Sequence, residues 1–242
     1  MGTSGWQYRD WRGRVYPSDL PASRWLAWYA SVFPSVEVNN TFYRLPERST
    51  FERWAGTVPD GFVFAVKASR YVTHVRRLLD VGPSIQLLLD RASALGDRLG
   101  PVLFQLPPNL PRETDRLRRC LAELPEAVRA AFEFRHRSWL TSEIFELLDA
   151  NGAALVWPDR PRARADLPVT GGWIYVRFHQ GRAAAPGYTR AKLRLWAERL
   201  AAADVERSYL YFNNDTDGAA VRDAQTLMSL LRDRNVAVRP PP

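Results

Sequence analysis

Short runs of this chain alternate apolar and polar residues with a period of two, and longer runs between them place apolar residues at helical spacing. The strand-length runs fall near Met1–Ser4, Val36–Asn39, Phe62–Lys67, Val102–Leu106, Ala131–Phe134, Ala154–Trp157, Trp173–Phe178 and Ser208–Asn213. The helical spacing predicts helices over Ser23–Phe33, Ser49–Gly56, Ser84–Leu99, Arg112–Leu124, Ser142–Asn151, Thr189–Ala203 and Ala219–Arg234. Strand then helix, repeated to a count of eight, predicts an α/β fold: one (β/α)8 TIM-type barrel of parallel strands, a single domain over residues 1–242. An open doubly wound sheet is the alternative. No Gly-x-Gly-x-x-Gly follows a strand, which argues against a dinucleotide-binding version. Two links look irregular. Tyr71–Gly82 carries Arg76 and Arg77, and Pro158–Gly172, rich in Pro, Arg and Asp, replaces a helix after the sixth strand.

Parity within the strands points to a site. Glu37 and Asn39 share one face, as do Lys67 and Ser69, Glu133 and Arg135, Tyr175, Arg177 and His179, and Tyr211, Asn213 and Asp215; Gln105 stands between Phe104 and Leu106. The intervening residues are apolar and belong under the helices. A lone buried charge costs several kcal/mol. Polar sets at strand ends therefore predict either a site at the C-terminal mouth, where such barrels work, or an internal salt-bridge network such as Glu133 with Lys67 or Arg177. The site is the favoured reading.

Charge and composition narrow the chemistry. The net charge is +8, yet the arginines are scattered over the predicted helices, so a nucleic-acid footprint is the less favoured reading. Of 34 basic residues only Lys67 and Lys192 are lysine. Lysine sheds its proton when buried and arginine does not, which singles out Lys67 at a strand end. The single cysteine, Cys120, excludes an internal disulfide framework and a cysteine-built zinc site, and lies among Leu117, Leu121 and Leu124 as a small buried hydrophobe. No leader-type apolar segment follows Met1, and no apolar run approaches the ~20 residues that span a bilayer. A cytoplasmic protein with no membrane contact is expected.

The candidate chemistry gathers at the predicted mouth. Glu37 and Glu133 form a potential acid/base pair, and all three histidines, His74, His136 and His179, follow strands. Lys67, Arg70, Arg135 and Arg177 make a cationic mouth suited to phosphate or carboxylate. Asn39, Gln105, Asn213, Asn214 and Asp215 are candidates to orient a ligand, with helix capping the plainer role for Asp215. Trp6, Tyr8, Trp11, Phe42, Tyr43, Trp139 and Trp157 cluster near the same rim, as stacking surfaces or as packing under loops. The leading expectation is an enzyme using acid/base chemistry on a small anionic substrate, phosphorylated compounds included, with no cofactor and no resident metal. Glu37, Glu133, His179, His136 and Lys67 are its catalytic candidates. A metal-assisted hydrolase is the first alternative, though no His-Glu-x-x-His is present. A non-enzymatic nucleic-acid or nucleotide binder and a glycosidase are weaker readings.

These motifs together resemble the YecE-like family, catalogued as domain of unknown function seventy-two. The matching residues are Gly2-Thr3-Ser4-Gly5-Trp6 with Tyr8 and Trp11, Glu37-Val38-Asn39-Asn40-Thr41-Phe42-Tyr43, Phe64-Ala65-Val66-Lys67-Ala68 with Thr73-His74, Gln105-Leu106-Pro107-Pro108, Glu133-Phe134-Arg135-His136 with Ser138-Trp139, Arg177-Phe178-His179, and Tyr211-Phe212-Asn213-Asn214-Asp215 with Gly218. The resemblance implies a TIM-type barrel and names no reaction. Two departures stand out. Met1 sits where the family has a valine preceded by further residues, which predicts a misassigned start. His179-Gln180-Gly181 replaces a direct His-Gly, which predicts an altered loop after the seventh strand.

Overall fold

A computed structural model describes residues 1–161, 164, 166–179 and 186–241. Eight parallel strands form one sheet: β1 (Gly2–Thr3), β2 (Ser35–Val38), β3 (Val63–Lys67), β4 (Leu99–Gln105), β5 (Ala130–Glu133), β6 (Ala154–Asp159), β7 (Ile174–Phe178) and β8 (Ser208–Phe212). Each strand pairs with its chain neighbour and β1 pairs with β8; a parallel bridge from Ser4 to Glu37 brings β1 against β2 and closes the ring. Gly2 permits that approach, because a Cβ there would lie 1.9 Å from the Ser35 carbonyl oxygen. The TIM-type barrel expected from the alternation is the observed fold.

The helices are α1 (Trp25–Ala30), α2 (Asn40–Tyr43), α3 (Arg48–Thr57), α4 (Gly82–Ala92), α5 (Thr114–Ala122), α6 (Ser142–Ala150), α7 (Arg190–Ala202) and α8 (Ala219–Arg232). Two expectations need correction. The helix expected over Ser84–Leu99 ends at Ala92; a 3-10 segment follows that is broken at Gly96 (φ 55°), and Leu99 already belongs to β4. The turn α2 had no periodic signal, since four residues span barely one helical repeat. Both irregular links are present. Tyr71–Val75 is a π-type turn followed by Arg77, Leu78 and Asp80 at positive φ, and no helix occurs between β6 and β7 among the described residues.

The two strand faces divide as their parity requires. Val36, Val38, Phe64, Val66, Phe104, Phe132, Phe134, Val176, Phe178 and Phe212 pack outward against the helices. Ala65, Leu103, Ala131, Ala154, Val156, Tyr175 and Tyr211 fill the barrel interior as a floor. Two residues further along the strands, the inward residues of β2, β3, β4, β5 and β7 are Glu37, Lys67, Gln105, Glu133 and Arg177. The floor keeps water from the polar layer on its lower side, so the ionic groups there must satisfy one another.

Candidate functional site

Arg177 is the hub of that layer. It is 1% exposed, and Glu37 and Glu133 are 0% exposed. Its Nε donates to Glu37 Oε2 at 2.9 Å and its Nη2 to Glu37 Oε1 at 2.8 Å, a bidentate pairing. Its Nη1 donates to Glu133 Oε2 at 2.7 Å and to Gln105 Oε1 at 2.9 Å. Ser4 Oγ donates to Glu37 Oε1 at 2.6 Å and Tyr175 Oη to Oε2 at 2.7 Å, so both Glu37 oxygens are fully engaged. Ser4 and Tyr175 were not among the expected site residues. Tyr175 shares the face of Arg177 in the sequence pattern, whereas the inward turn of Ser4 follows from barrel closure.

The second carboxylate faces the mouth. Arg135 Nε lies 2.5 Å from Glu133 Oε1 and His179 Nε2 3.5 Å from it, yet neither that oxygen nor Arg135 Nε makes an aligned hydrogen bond within the protein. Arg135 Nη2 is also 3.3 Å from His179 Nε2. The other ring nitrogen of His179 is 3.4 Å from Asn213 Nδ2, and Asn39 Nδ2 is 3.4 Å from Asn213 Oδ1. Lys67 donates to Gln105 Oε1 at 3.0 Å, and its ammonium sits 4.3 Å from the centre of the Phe42 ring. Residues from seven strands or the segments that follow them thus converge on one layer.

Protonation follows from this packing. Burial alone pushes both carboxyls up, but Arg177 with Ser4 and Tyr175 holds Glu37 below the ordinary carboxylate value, and Arg177, His179 and Arg135 hold Glu133 well below it. Burial, opposed by Glu133, lowers His179, so its imidazole favours the neutral form. Burial and the nearby Arg177 charge bring Lys67 down to about 8. Both carboxyls ionise more readily folded than unfolded. Their contribution is therefore fully present above the unfolded value near 4.5 and is lost as pH falls through the folded values. Urea unfolding followed by tryptophan fluorescence is expected to show falling midpoints as pH drops below about 4.5. A flat midpoint through that range would contradict the assignment.

A cavity of about 600 Å³ adjoins the mouth and shares Arg135 with it. Arg135, Arg137, Arg160, Arg164 and His136 line it together with apolar side chains, and among the described residues no carboxylate does, though Arg164 is paired with Asp166 at 2.7 Å. Arg160 Nε is buried without a hydrogen-bond partner among the described residues. A second cavity of about 540 Å³ lies at the N-terminal end, around Met1, Ser35, Arg129 and Arg239. It touches none of the cluster, and the chemistry of such barrels belongs to the other face.

Several expected site residues lie apart from the cluster. Trp139 is fully buried under the helices, stacked on Phe134 at 4.7 Å, with its N–H on the Leu110 carbonyl. Trp6 is buried against Trp54, and Trp11 is buried with its N–H on the Asp215 carbonyl. Trp157 lies beneath the Arg199 guanidinium in the outer layer. Asn214 turns to Asp223 and the Pro186 carbonyl, tying β8 to the segment before α7. Asp215 occupies the position before a 3-10 turn, without a side-chain cap bond, beside Tyr8 and Asp10, where burial and Asp10 raise its pKa. His136 caps the turn at Arg137–Trp139 through Ser138. Tyr43 is 81% exposed on the rim and Arg70 is exposed. His74 bonds Thr73 and packs edge-on to Phe42. Gln180 and Gly181 lie outside the described residues. Cys120 is buried, with burial pushing its thiol up to about 12.

No group of three or more His, Cys, Asp and Glu side chains is arranged to hold a metal ion among the described residues. The Arg177 guanidinium also bonds both carboxylates at once, which occupies the space a glycosidic bond would need between an acid/base pair. Among the described residues no helix is long and apolar enough to cross a membrane.

The fold and this layer define a class: a (β/α)8 barrel with a buried Arg–Glu network below a cationic C-terminal mouth. The chain belongs to the family described as "Protein of unknown function DUF72", whose model matches residues 1–242. It is 25% identical to the UPF0759 protein YunF of Bacillus subtilis (strain 168), over 96% of this chain and 94% of that one. The crystal structure of a DUF72 family protein from Thermotoga maritima MSB8 superposes with a TM-score of 0.82 at 29% identity, covering 96% of this chain and 98% of that one. One from Enterococcus faecalis V583 shares the fold with a TM-score of 0.80 at 19% identity, covering 100% of this chain and 97% of that one. The family resemblance seen in the motifs is thus shown, and Ser4, Glu37, Lys67, Gln105, Glu133, Arg135, Arg177 and His179 of the polar layer all fall within those motifs.

Proposed function

We propose that the C-terminal mouth is the active site of an enzyme acting on a small compound bearing phosphate or carboxylate, by acid/base chemistry. The observation that carries this reading is the arginine-lined cavity: among the described residues four guanidiniums and a histidine line it and no carboxylate does, and Arg137 and Arg160 have no carboxylate ion pair there, whereas Arg164 pairs with Asp166 and Arg135 with Glu133. Arg135, shared with the polar layer, would place the anion so that the rest of the molecule reaches His179 and Lys67. The cluster supports an anion as well. Lys67, Arg135 and Arg177 set three positive charges against Glu37 and Glu133, leaving one in excess while His179 is neutral.

Roles follow from protonation. Glu37 and Glu133, both held ionised by Arg177, fix that guanidinium and orient its neighbours; this is a different task from the acid/base exchange first expected of them. His179 is the better acid/base group, because burial favours its neutral form and its side chain, 13% exposed, still reaches the mouth. Gln105, Asn39 and Asn213 would orient the ligand. A cytoplasmic setting fits the single buried thiol.

Calorimetric titration with phosphate, sulfate and sugar phosphates tests the reading. Binding to the wild-type protein is expected to weaken as pH rises past about 8, where Lys67 loses its charge. Arg135→Gln is expected to weaken it by roughly 10- to 100-fold, the worth of one charge-assisted hydrogen bond. Arg194→Gln, on the exposed side of α7, should leave it unchanged. Absence of any binding heat or melting shift across that panel would defeat the proposal.

A further inference from the structure

Lys67 is an unusual lysine for its surroundings. It is buried at the C-terminal end of β3, 8% exposed, and makes no ion pair with a carboxylate among the described residues. Its hydrogen-bond partner is the neutral Gln105 Oε1, an oxygen that Arg177 Nη1 also uses. Beneath it lies the Phe42 ring. Arg177, Arg135 and Arg70 supply positive charge to the same neighbourhood, and the buried Glu37 and Glu133, themselves paired with Arg177, offset part of it. A lysine removed from water and set beside other cations is the arrangement that frees an amine lone pair at neutral pH. A guanidinium in its place would stay charged, and arginine is otherwise nearly universal among the basic residues of this chain.

We propose that Lys67 is the nucleophile of this site and condenses with the carbonyl carbon of a small anionic aldehyde or ketone to form an imine. The inference rests on the anion-binding reading above and names the substrate class. The neutral Nζ lone pair attacks the carbonyl carbon, and the carbon–oxygen π pair moves to oxygen, which takes up a proton. The carbinolamine then loses that oxygen as water while nitrogen gives up its second proton. One amine and one carbonyl thus yield one imine and one water, with no oxidant or reductant. The protonated imine draws electrons from the adjacent carbon, so a bond to that carbon can break or form. His179, whose ring faces the same mouth, would move the proton concerned.

The chain provides its own control, since the other lysine, Lys192, lies on α7 in an ion pair with Asp159 at 2.8 Å. Full-length protein incubated at pH 7 with glyoxylate, pyruvate or dihydroxyacetone phosphate and sodium cyanoborohydride reduces any imine to a stable secondary amine. Peptide mapping then separates Lys67 from Lys192 and from the N-terminal amine. Lys67 is expected to be labelled at least ~10-fold faster than Lys192, as a lowered pKa raises the neutral fraction. Inorganic phosphate should slow that labelling, and Lys67→Arg should abolish it while keeping the positive charge. If that variant fails to fold, the Lys67-to-Lys192 ratio in the wild-type protein decides alone. Labelling of Lys67 no faster than Lys192 overturns the proposal, whatever anion binding is measured. Equal labelling of Lys67 by neutral dihydroxyacetone and its phosphate, both faster than Lys192, supports the nucleophile and removes the anion reading instead.

Discussion

Arg177→Met is expected to lower the unfolding free energy by roughly 3–5 kcal/mol, the cost of removing one partner from a buried ion pair. The side-chain volume is nearly kept, so the loss is electrostatic. Among the described residues Glu37 would retain only Ser4 and Tyr175, and Glu133 only Arg135 and His179. For a chain of this size the melting temperature should fall by roughly 6–20 °C. The sign of the pH dependence should also reverse. With Arg177 present, both carboxyls titrate below their unfolded values, and acid destabilises. With it gone, burial dominates and raises them, so stability is greatest below the unfolded value near 4.5 and is lost as pH rises. Urea midpoints of the variant should therefore rise on going from pH 7 to 5. The triple variant Arg177→Met with Glu37→Gln and Glu133→Gln should recover most of the loss, because no uncompensated charge remains. A loss under about 1 kcal/mol, or a midpoint unaffected by pH, would show that water reaches the layer and that the pairs are surface-like.

Trp139→Ala is expected to cost roughly 3–5 kcal/mol through the cavity it leaves, with anion affinity unchanged at temperatures where the variant is folded. The indole is fully enclosed, lies 7° from coplanar with Phe134, and satisfies the Leu110 carbonyl. Trp139→Phe keeps most of the ring and should cost about 1–3 kcal/mol, chiefly for the unmatched carbonyl. Paired urea melts and phosphate titrations separate packing from binding. Lost affinity at full stability would return Trp139 to the mouth as a ligand-stacking residue.

The contrast between Arg177 and Trp139 marks what was legible in the chain. Both follow a strand signal, and both looked like site residues. Arg177 sits inside a strand, where a period of two states which face it takes, and the barrel turns that face inward. Trp139 sits in a 3-10 turn after β5, where no periodicity states a direction. The same holds for Trp6, Trp11, Asn214 and Asp215, all in connecting segments: the two tryptophans were drawn into packing, Asn214 to Asp223, and Asp215 to the start of a 3-10 turn. The Glu37–Glu133 pair was legible as two inward carboxylates. That one guanidinium serves both was not, because Glu37 and Arg177 are 140 residues apart in sequence.

By itself the sequence determined the eight-fold alternation of strand and helix, the family motifs and the shared parity of the polar residues at the strand ends. Each of these is set by local periodicity or by a contiguous motif, so a single chain segment suffices to state it. Only the tertiary structure decided the partners: Arg177 between two glutamates, Lys67 on Gln105 with no carboxylate of its own, and four arginines around one cavity. Pairing across a barrel depends on register and tilt between strands distant in the chain, and Coulomb energy depends on the resulting distances and the water excluded between them. Neither quantity is written in any one strand.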